Sequence, residues 1–149
     1  MPRASVTKII PCNKKDLIDM ILDIEKYPEF VPWCLSGKIH KKNEMVDMIE
    51  IEADLTVGKK FLNQTYKSHV TYYKDKDKIV VSNIGGPLKH LKNEWRIKEV
   101  NNQSEINFTI DFEIKNIFYN MVMSNSFDQG LKKIADAFEK RAINLFNKH

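Results

Sequence analysis

Residues 49–57 read Ile49-Glu50-Ile51-Glu52-Ala53-Asp54-Leu55-Thr56-Val57, or IEIEADLTV, an unbroken alternation of apolar and polar side chains. Successive side chains of an extended strand point to opposite faces, so Ile49, Ile51, Ala53, Leu55 and Val57 share one face and the polar residues the other. A strand of this kind rests one face on a core and leaves the other in water, the habit of antiparallel sheets. Residues 106–114, INFTIDFEI, repeat the pattern, with Ile106, Phe108, Ile110, Phe112 and Ile114 in phase.

Outward from these two strands, Phe61 to Tyr73, Lys78 to Ile84 and Leu91 to Val100 are rich in Val, Ile, Thr, Tyr and Trp. Turns are expected between them at Val57-Gly58-Lys59, at Asp75 to Asp77 and at Gly85-Gly86-Pro87. Lys38 to Lys42 adds one more strand, and Ser5 to Ile10, β-branched and stopped by Pro11, suits a first one. Asn13 is placed to cap a short helix carrying Leu17, Ile18, Ile21 and Leu22 at helical spacing. Strands this close in sequence fit an antiparallel meander, not βαβ units. After Asn116 the period changes. Phe118, Met121, Val122, Phe127, Leu131, Ile134, Ala135, Phe138, Ala142 and Leu145 recur at intervals of three and four, as one amphipathic helix of about 30 residues and roughly 45 Å. The expected fold is α+β, one domain over 1–149: a curved antiparallel sheet of about six to seven strands around a long C-terminal helix, with short helical structure after the first strand. A curved sheet and a single helix cannot touch along their whole length, and the space left between them is a cavity or a groove.

Composition sets limits on function. With 42% hydrophobic and 30% charged residues and only 5 Gly and 5 Pro, the 149-residue chain belongs with soluble, folded domains. No run approaches the roughly 18 apolar residues of a membrane span, and MPRASVTKII lacks the apolar stretch of a secretory signal, so the expected compartment is the cytoplasm. Cys12 and Cys34 lack a CxxC arrangement; free structural thiols are favoured over a pair. The net charge of +4 is spread over interspersed signs, without the dense basic stripe and interleaved aromatics of a nucleic-acid binder, and DNA is not an expected partner. The Lys-rich stretches at Lys41-Lys42, Lys59-Lys60 and Lys74 to Lys78 read as solvated strand ends and turns, with weak attraction to anionic membrane or RNA surfaces as the other reading.

Chemistry-bearing patterns are scarce. His40, His69, His90 and His149 are scattered, and HExxH, GxSxG and glycine-rich phosphate loops are absent. A cyclase or isomerase would need an acid or base inside the apolar gap, yet Glu50, Glu52, Asp54, Asp111 and Glu113 lie on the polar phase of their strands and should face solvent. That argues against an enzyme and for no metal, leaving Tyr66 as an unusual general base. Gly85 to His90 is no phosphate cradle, because no helix follows it; a hairpin loop at the cavity rim, with Leu88 gating the opening, is expected.

One segment resists a regular assignment. Tyr27-Pro28-Glu29-Phe30-Val31-Pro32-Trp33-Cys34 carries much apolar surface, yet its two prolines forbid a helix interior or a central strand. This stretch, with Ala53-Asp54-Leu55-Thr56-Val57-Gly58, Gly86-Pro87-Leu88-Lys89-His90-Leu91 followed by Trp95, Asp111-Phe112-Glu113 and Phe138-Glu139-Lys140-Arg141-Ala142, resembles the START-like, helix-grip proteins of the coenzyme Q-binding and ribosome-association-toxin group, often labelled oligoketide cyclases. The resemblance covers nearly the whole chain and does not separate members of the group. It implies a non-catalytic domain with an apolar tunnel, binding ubiquinone or another polyprenyl quinone in some members and associated with the large ribosomal subunit in another. No cofactor is required, the quinone being the bound ligand.

Under that resemblance Phe30, Val31 and Trp33 pack inward as a plug at one mouth of the gap, or else form a loop cluster with no ligand role. The expected lining is Phe30, Trp33, Leu55, Val57, Leu88, Trp95, Phe108, Ile110, Phe112, Phe127, Leu131, Ile134 and Phe138. A membrane-dissolved quinone also needs an apolar lip, and Phe118, Tyr119 and Met123 are the expected contact with the inner face of the cytoplasmic membrane, unless the sheet or a dimer partner covers them. Three functions stay open: a quinone carrier or chaperone supporting respiratory electron transport, a toxin-like protein that binds the large ribosomal subunit and hinders subunit joining, and a polyketide cyclase or aromatase.

Overall fold

A computed structural model describes residues 3–59, 62–85, 88–114 and 127–146. The chain runs through β1 (Arg3–Ile10), α1 (Lys14–Leu22), a 3-10 helix (Ile24–Glu29), β2 (Cys34–Glu44), β3 (Met48–Lys59), β4 (Leu62–Tyr73), a 3-10 turn (Lys74–Lys76), β5 (Lys78–Gly85), β6 (Leu88–Val100), β7 (Gln103–Ile114) and α2 (Phe127–Phe146). The strands form one seven-stranded sheet in the order β1-β7-β6-β5-β4-β3-β2, every neighbouring pair antiparallel. At about 4.8 Å per strand it would span roughly 29 Å if flat, nearly three times a helix diameter, so it must curl to be covered by α2. Register shifts in the β2–β3, β4–β5 and β6–β7 pairs mark bulges, which bend strands.

The two alternating stretches lie in β3 and β7 as expected, and α1 begins as expected too: the Asn13 side chain accepts a hydrogen bond from the Asp16 N–H at 2.8 Å. Leu17, Ile18, Ile21 and Leu22 are all buried. The fully buried core joins Ile10, Leu17, Ile24, Ile51, Ile79, Ile106 and Phe138, residues from β1, β3, β5 and β7 of the sheet and from α1, the first 3-10 helix and α2.

Three boundaries differ from the sequence reading. No turn falls at Val57-Gly58-Lys59: Gly58 pairs with Asn63 and Lys59 with Leu62, because long neighbouring strands carry the ladder on to the hairpin tip. Leu88 is not in a rim loop but in β6, opposite Ile114, so the β5–β6 connection is only residues 86–87. The strand at Lys38–Lys42 extends over 11 residues because β3 offers a partner along its whole length. The β6–β7 hairpin turns on Asn101 and Asn102, with φ of 52° and 66°; asparagine tolerates the left-handed region that two-residue hairpins require. The terminal helix is described from Phe127 for 20 residues, and its expected earlier part lies outside the described residues.

Gly37 in β2 is a forced choice. A Cβ there would stand 2.5 Å from the Ile24 carbonyl oxygen, so its absence is what lets the 3-10 helix lie against β2.

Candidate functional site: the space between sheet and helix

The inner face follows from the strand phases. Ile49, Ile51, Ala53 and Leu55 of β3, Ser68, Val70 and Tyr72 of β4, Ile79 and Val81 of β5, Asn93, Trp95 and Ile97 of β6, and Ile106, Phe108 and Ile110 of β7 all belong to it. Helix α2 lies closest to β1 and is tied there by Lys8, whose Nζ is 2.6 Å from Asp136 and 3.3 Å from Glu139.

One end of this space is filled. The Trp95 ring lies 4.4 Å from Phe108 and 5.0 Å from Phe138 between centroids, and Phe138 makes edge-on contacts with Tyr27 and Phe30. Trp95, Phe108 and Phe138, all among the expected lining residues, are buried and packed on one another. The indole N–H of Trp95 donates to Asn93 Oδ1 at 3.0 Å, and Asn93 Nδ2 donates to the Thr109 carbonyl at 2.9 Å, which satisfies the polar groups that such a ring brings inside.

Toward the other end, burial declines along β3 and β7: Ile51 and Ala53 are fully buried and Leu55 half-buried, and Ile106 and Phe108 are buried and Ile110 half-buried. Both declines point to the end where β2 begins and β3 ends, marked by the hydrogen bond from the Gly58 N–H to the Trp33 carbonyl. On α2 Ile134 is half-buried beside a buried Ala135, and on β4 the order is reversed, with Tyr72 half-buried and Val70 and Ser68 buried. Leu55, Ile110 and Ile134 are therefore the expected lining residues that are only half-buried, each packed against the core. Val57, Leu88, Phe112, Phe127 and Leu131 also belong to the expected lining, but their side chains lie outside the described residues, as do Phe118, Tyr119 and Met123 entirely.

The proline-bracketed segment divides. Phe30 and Val31 pack against the core, and the Tyr27 hydroxyl donates to the Ile21 carbonyl. Trp33 is less covered than Phe30 and Val31. It has φ of 63°, a conformation that costs a bulky residue energy, and is 36% exposed with Lys133 Nζ 5.8 Å from its ring centroid. The left-handed backbone turns the chain into β2, with the indole partly covered beside Lys133 of α2. Phe30 in turn borders a separate cleft of about 170 Å³ between α1 and the end of α2, where Arg141 covers its ring and pairs with Glu29 at 2.8 Å.

The acidic strand residues keep the polar phase, but Glu50, Glu52, Asp54 and Asp111 are half-buried instead of open to solvent. Long cross-strand neighbours explain it for β3: Thr71, His69 and Lys67 stand opposite Glu50, Glu52 and Asp54, and His40 Nε2 lies 2.8 Å from Asp54. Among the described residues no three His, Cys, Asp or Glu side chains are grouped to hold a metal ion. Cys12 and Cys34 are both buried and free; burial, reinforced by Asp16, pushes the Cys12 thiol up to about 11, and burial raises that of Cys34. No helix among the described residues is long and apolar enough to cross a membrane.

Two inner-face residues were missed in the sequence, Ser68 and Asn93. The available signal was phase: each is a polar residue standing where the alternation of its strand calls for an apolar one.

Similarity to known proteins agrees with this architecture. The family model described as polyketide cyclase/dehydrase and lipid transport matches residues 14–139. The chain is 31% identical over 139 residues to the ribosome association toxin RatA of Rickettsia prowazekii, covering 91% of this chain and 92% of that protein. It is 30% identical over 144 residues to the mitochondrial coenzyme Q-binding protein COQ10 of Dictyostelium discoideum, covering 95% and 69%. The solution structure of an 18 kDa Caulobacter crescentus protein superposes with a TM-score of 0.81 at 29% identity, over 99% of this chain and all of that one. Sequence, sheet order and terminal helix thus agree: this chain is a START-like helix-grip protein of the polyketide cyclase/dehydrase and lipid transport family.

Proposed function

We propose that the protein binds an isoprenoid quinone of the ubiquinone type without transforming it, as a carrier or chaperone, with the apolar tail between the sheet and α2. The observation that supports this reading is that Leu55, Ile110 and Ile134, apolar side chains from three elements packed on one core, are only half-buried. An apolar tail that buries a few hundred Å² gains several kcal/mol, at about 25 cal/mol per Å². A relative named for coenzyme Q binding supports the choice of ligand. A non-catalytic role is supported by the absence, among the described inner-face residues, of a carboxylate or histidine. In this reading Phe118, Tyr119 and Met123 form the contact with the membrane that holds the quinone. Phe118→Asp and Met123→Asp should then reduce flotation with liposomes, and unchanged flotation removes the lip from the proposal.

A second reading, association with the large ribosomal subunit, is favoured by the match to nearly the whole length of a protein named as a ribosome association toxin. Lysines at the strand ends would meet RNA phosphates, and such binding weakens steeply with salt. Mass spectrometry of organic extracts from purified protein, together with cosedimentation on large subunits over a salt series, separates the two. Near-stoichiometric quinone supports the carrier. A clean extract with salt-sensitive cosedimentation supports the ribosomal role.

A further inference from the structure

Three polar side chains are buried in the described residues: Ser68, Asn93 and Ser104. Two have structural employment. Ser104 Oγ donates to the Cys12 carbonyl at 2.9 Å, tying β7 to the turn after β1, and Asn93 serves Trp95 and Thr109. Ser68 has none. It is 0% exposed, and its Oγ has no hydrogen-bond partner among the described residues. Leaving a buried hydroxyl unpaired costs about 1–3 kcal/mol, and a serine in its place would be replaced by alanine at no loss if packing were its only task.

Its surroundings indicate what would pair with it. Ser68 shares the inner phase of β4 with Val70 and Tyr72. Directly opposite on β3 stands Ala53, and the next inner pair is Ile51 and Val70, so Ala53 and Ser68 are a pair of small, fully buried side chains in an otherwise bulky face. The β4–β5 register shifts between Lys67 and Ser68, and bulges of this kind re-aim side chains beside binding sites. The next inner residue along β3 is the half-buried Leu55. The described side chains beside Ser68 on this face, Ala53, Val70 and Leu55, are uncharged, so an ionised head such as a carboxylate would be desolvated there with no counter-charge.

We propose that Ser68 is a ligand-binding residue, its hydroxyl donating a hydrogen bond to a carbonyl oxygen on the uncharged polar head of the molecule held between the sheet and α2. This rests on the carrier reading and adds to it the position and the polarity of the head: a neutral quinone ring lies over the small Ala53–Ser68 pair, with its tail toward Leu55 and Ile134.

The test titrates the full chain and its Ser68→Ala variant with decylubiquinone and, by competition, with decylbenzene, which keeps the tail and a ring but lacks the carbonyls. Ser68→Ala should bind decylubiquinone roughly five- to tenfold more weakly, as befits one neutral hydrogen bond, and decylbenzene as tightly as the parent does. The infrared stretch of the bound ¹³C-labelled quinone carbonyl should rise in the variant, a change that a packing defect does not produce. The thermal midpoint of Ser68→Ala should equal or exceed that of the parent, since an orphaned group has been removed; Ser68→Cys, close in volume, should bind with an intermediate affinity. Equal quinone affinity in parent and Ser68→Ala overturns the assignment and leaves the carrier reading standing. A variant midpoint well below that of the parent also overturns it, because the hydroxyl would then be satisfied within the fold. Failure of the parent to bind either probe overturns both.

Discussion

Trp95 and Phe108 face each other across β6 and β7, directly opposite in register, with ring centroids 4.4 Å apart and planes tilted by 43°. With Phe138 pressed on the indole from α2, this pair closes one end of the sheet–helix interior and makes that end part of the core. Trp95→Ala should therefore cost about 3–5 kcal/mol in denaturant unfolding, through the cavity it leaves and the Asn93 amide it strands. Ile134→Ala, at the half-buried end, should cost clearly less stability while weakening decylubiquinone binding. Equal stability losses at the two positions would contradict a filled end and an open one.

Gly37 makes a different kind of contact. Any side chain there meets the Ile24 carbonyl, a backbone group that cannot rotate away. Gly37→Ala is expected to lower stability by about 1–3 kcal/mol, measured as a shift in denaturant midpoint at unchanged slope. An unchanged midpoint would show that β2 and the 3-10 helix are not held at this separation.

Acid sensitivity has an identifiable contributor in Glu94. Its carboxylate lies 2.7 Å from Lys78 Nζ, and that hydrogen-bonded ion pair, helped by Arg96, holds its pKa below the ordinary value. A folded pKa below the unfolded one, about 4.3, contributes stability above that value and loses it as the pH falls through the folded pKa. Glu94→Gln should thus be less stable than the parent at pH 7 by about 0.5–1 kcal/mol, and the difference should shrink below about pH 4. A difference constant from pH 7 to 3 would mean that the pair contributes nothing.

Both thiols should be inert in the native protein. With Cys12 raised to about 11 and Cys34 raised as well, neither supplies much thiolate at pH 8, and both are buried. Titration with a disulfide reagent should label neither on the time scale of minutes and two per chain after denaturation. Rapid native labelling of one would place it at the surface.

Much of the fold was legible because its strands are half-buried. IEIEADLTV and INFTIDFEI state their inner faces directly, and Asn13 with Leu17, Ile18, Ile21 and Leu22 states a capped helix. Turn positions were less legible. Gly58 looks like a turn residue but sits in a paired strand, and Leu88 is drawn into β6 by pairing with Ile114; such tertiary pairing overrides local propensity. The site was only half legible. Phase placed Leu55 and Ile110 on the inner face, and helical spacing placed Ile134 there, but spacing cannot tell lining from core, so Trp95, Phe108 and Phe138 looked the same as they did. The backbone of Trp33 was not legible, since nothing in YPEFVPWC announces a left-handed tryptophan. Ser68 was overlooked because one serine among β-formers attracts no notice until its hydroxyl is found without a partner.

The central claim is that an apolar ligand enters at the end bounded by Leu55, Ile110 and Ile134 and stops short of the packed end. Methyl NMR during titration with decylubiquinone tests it most directly. The account predicts saturable shifts and contacts from the ligand to the methyls of Leu55, Ile110 and Ile134, with those of Ile79, Ile97 and Ile106 unmoved. Shifts confined to exposed methyls such as Ile9 and Ile143, or no saturable shift at all, would contradict it.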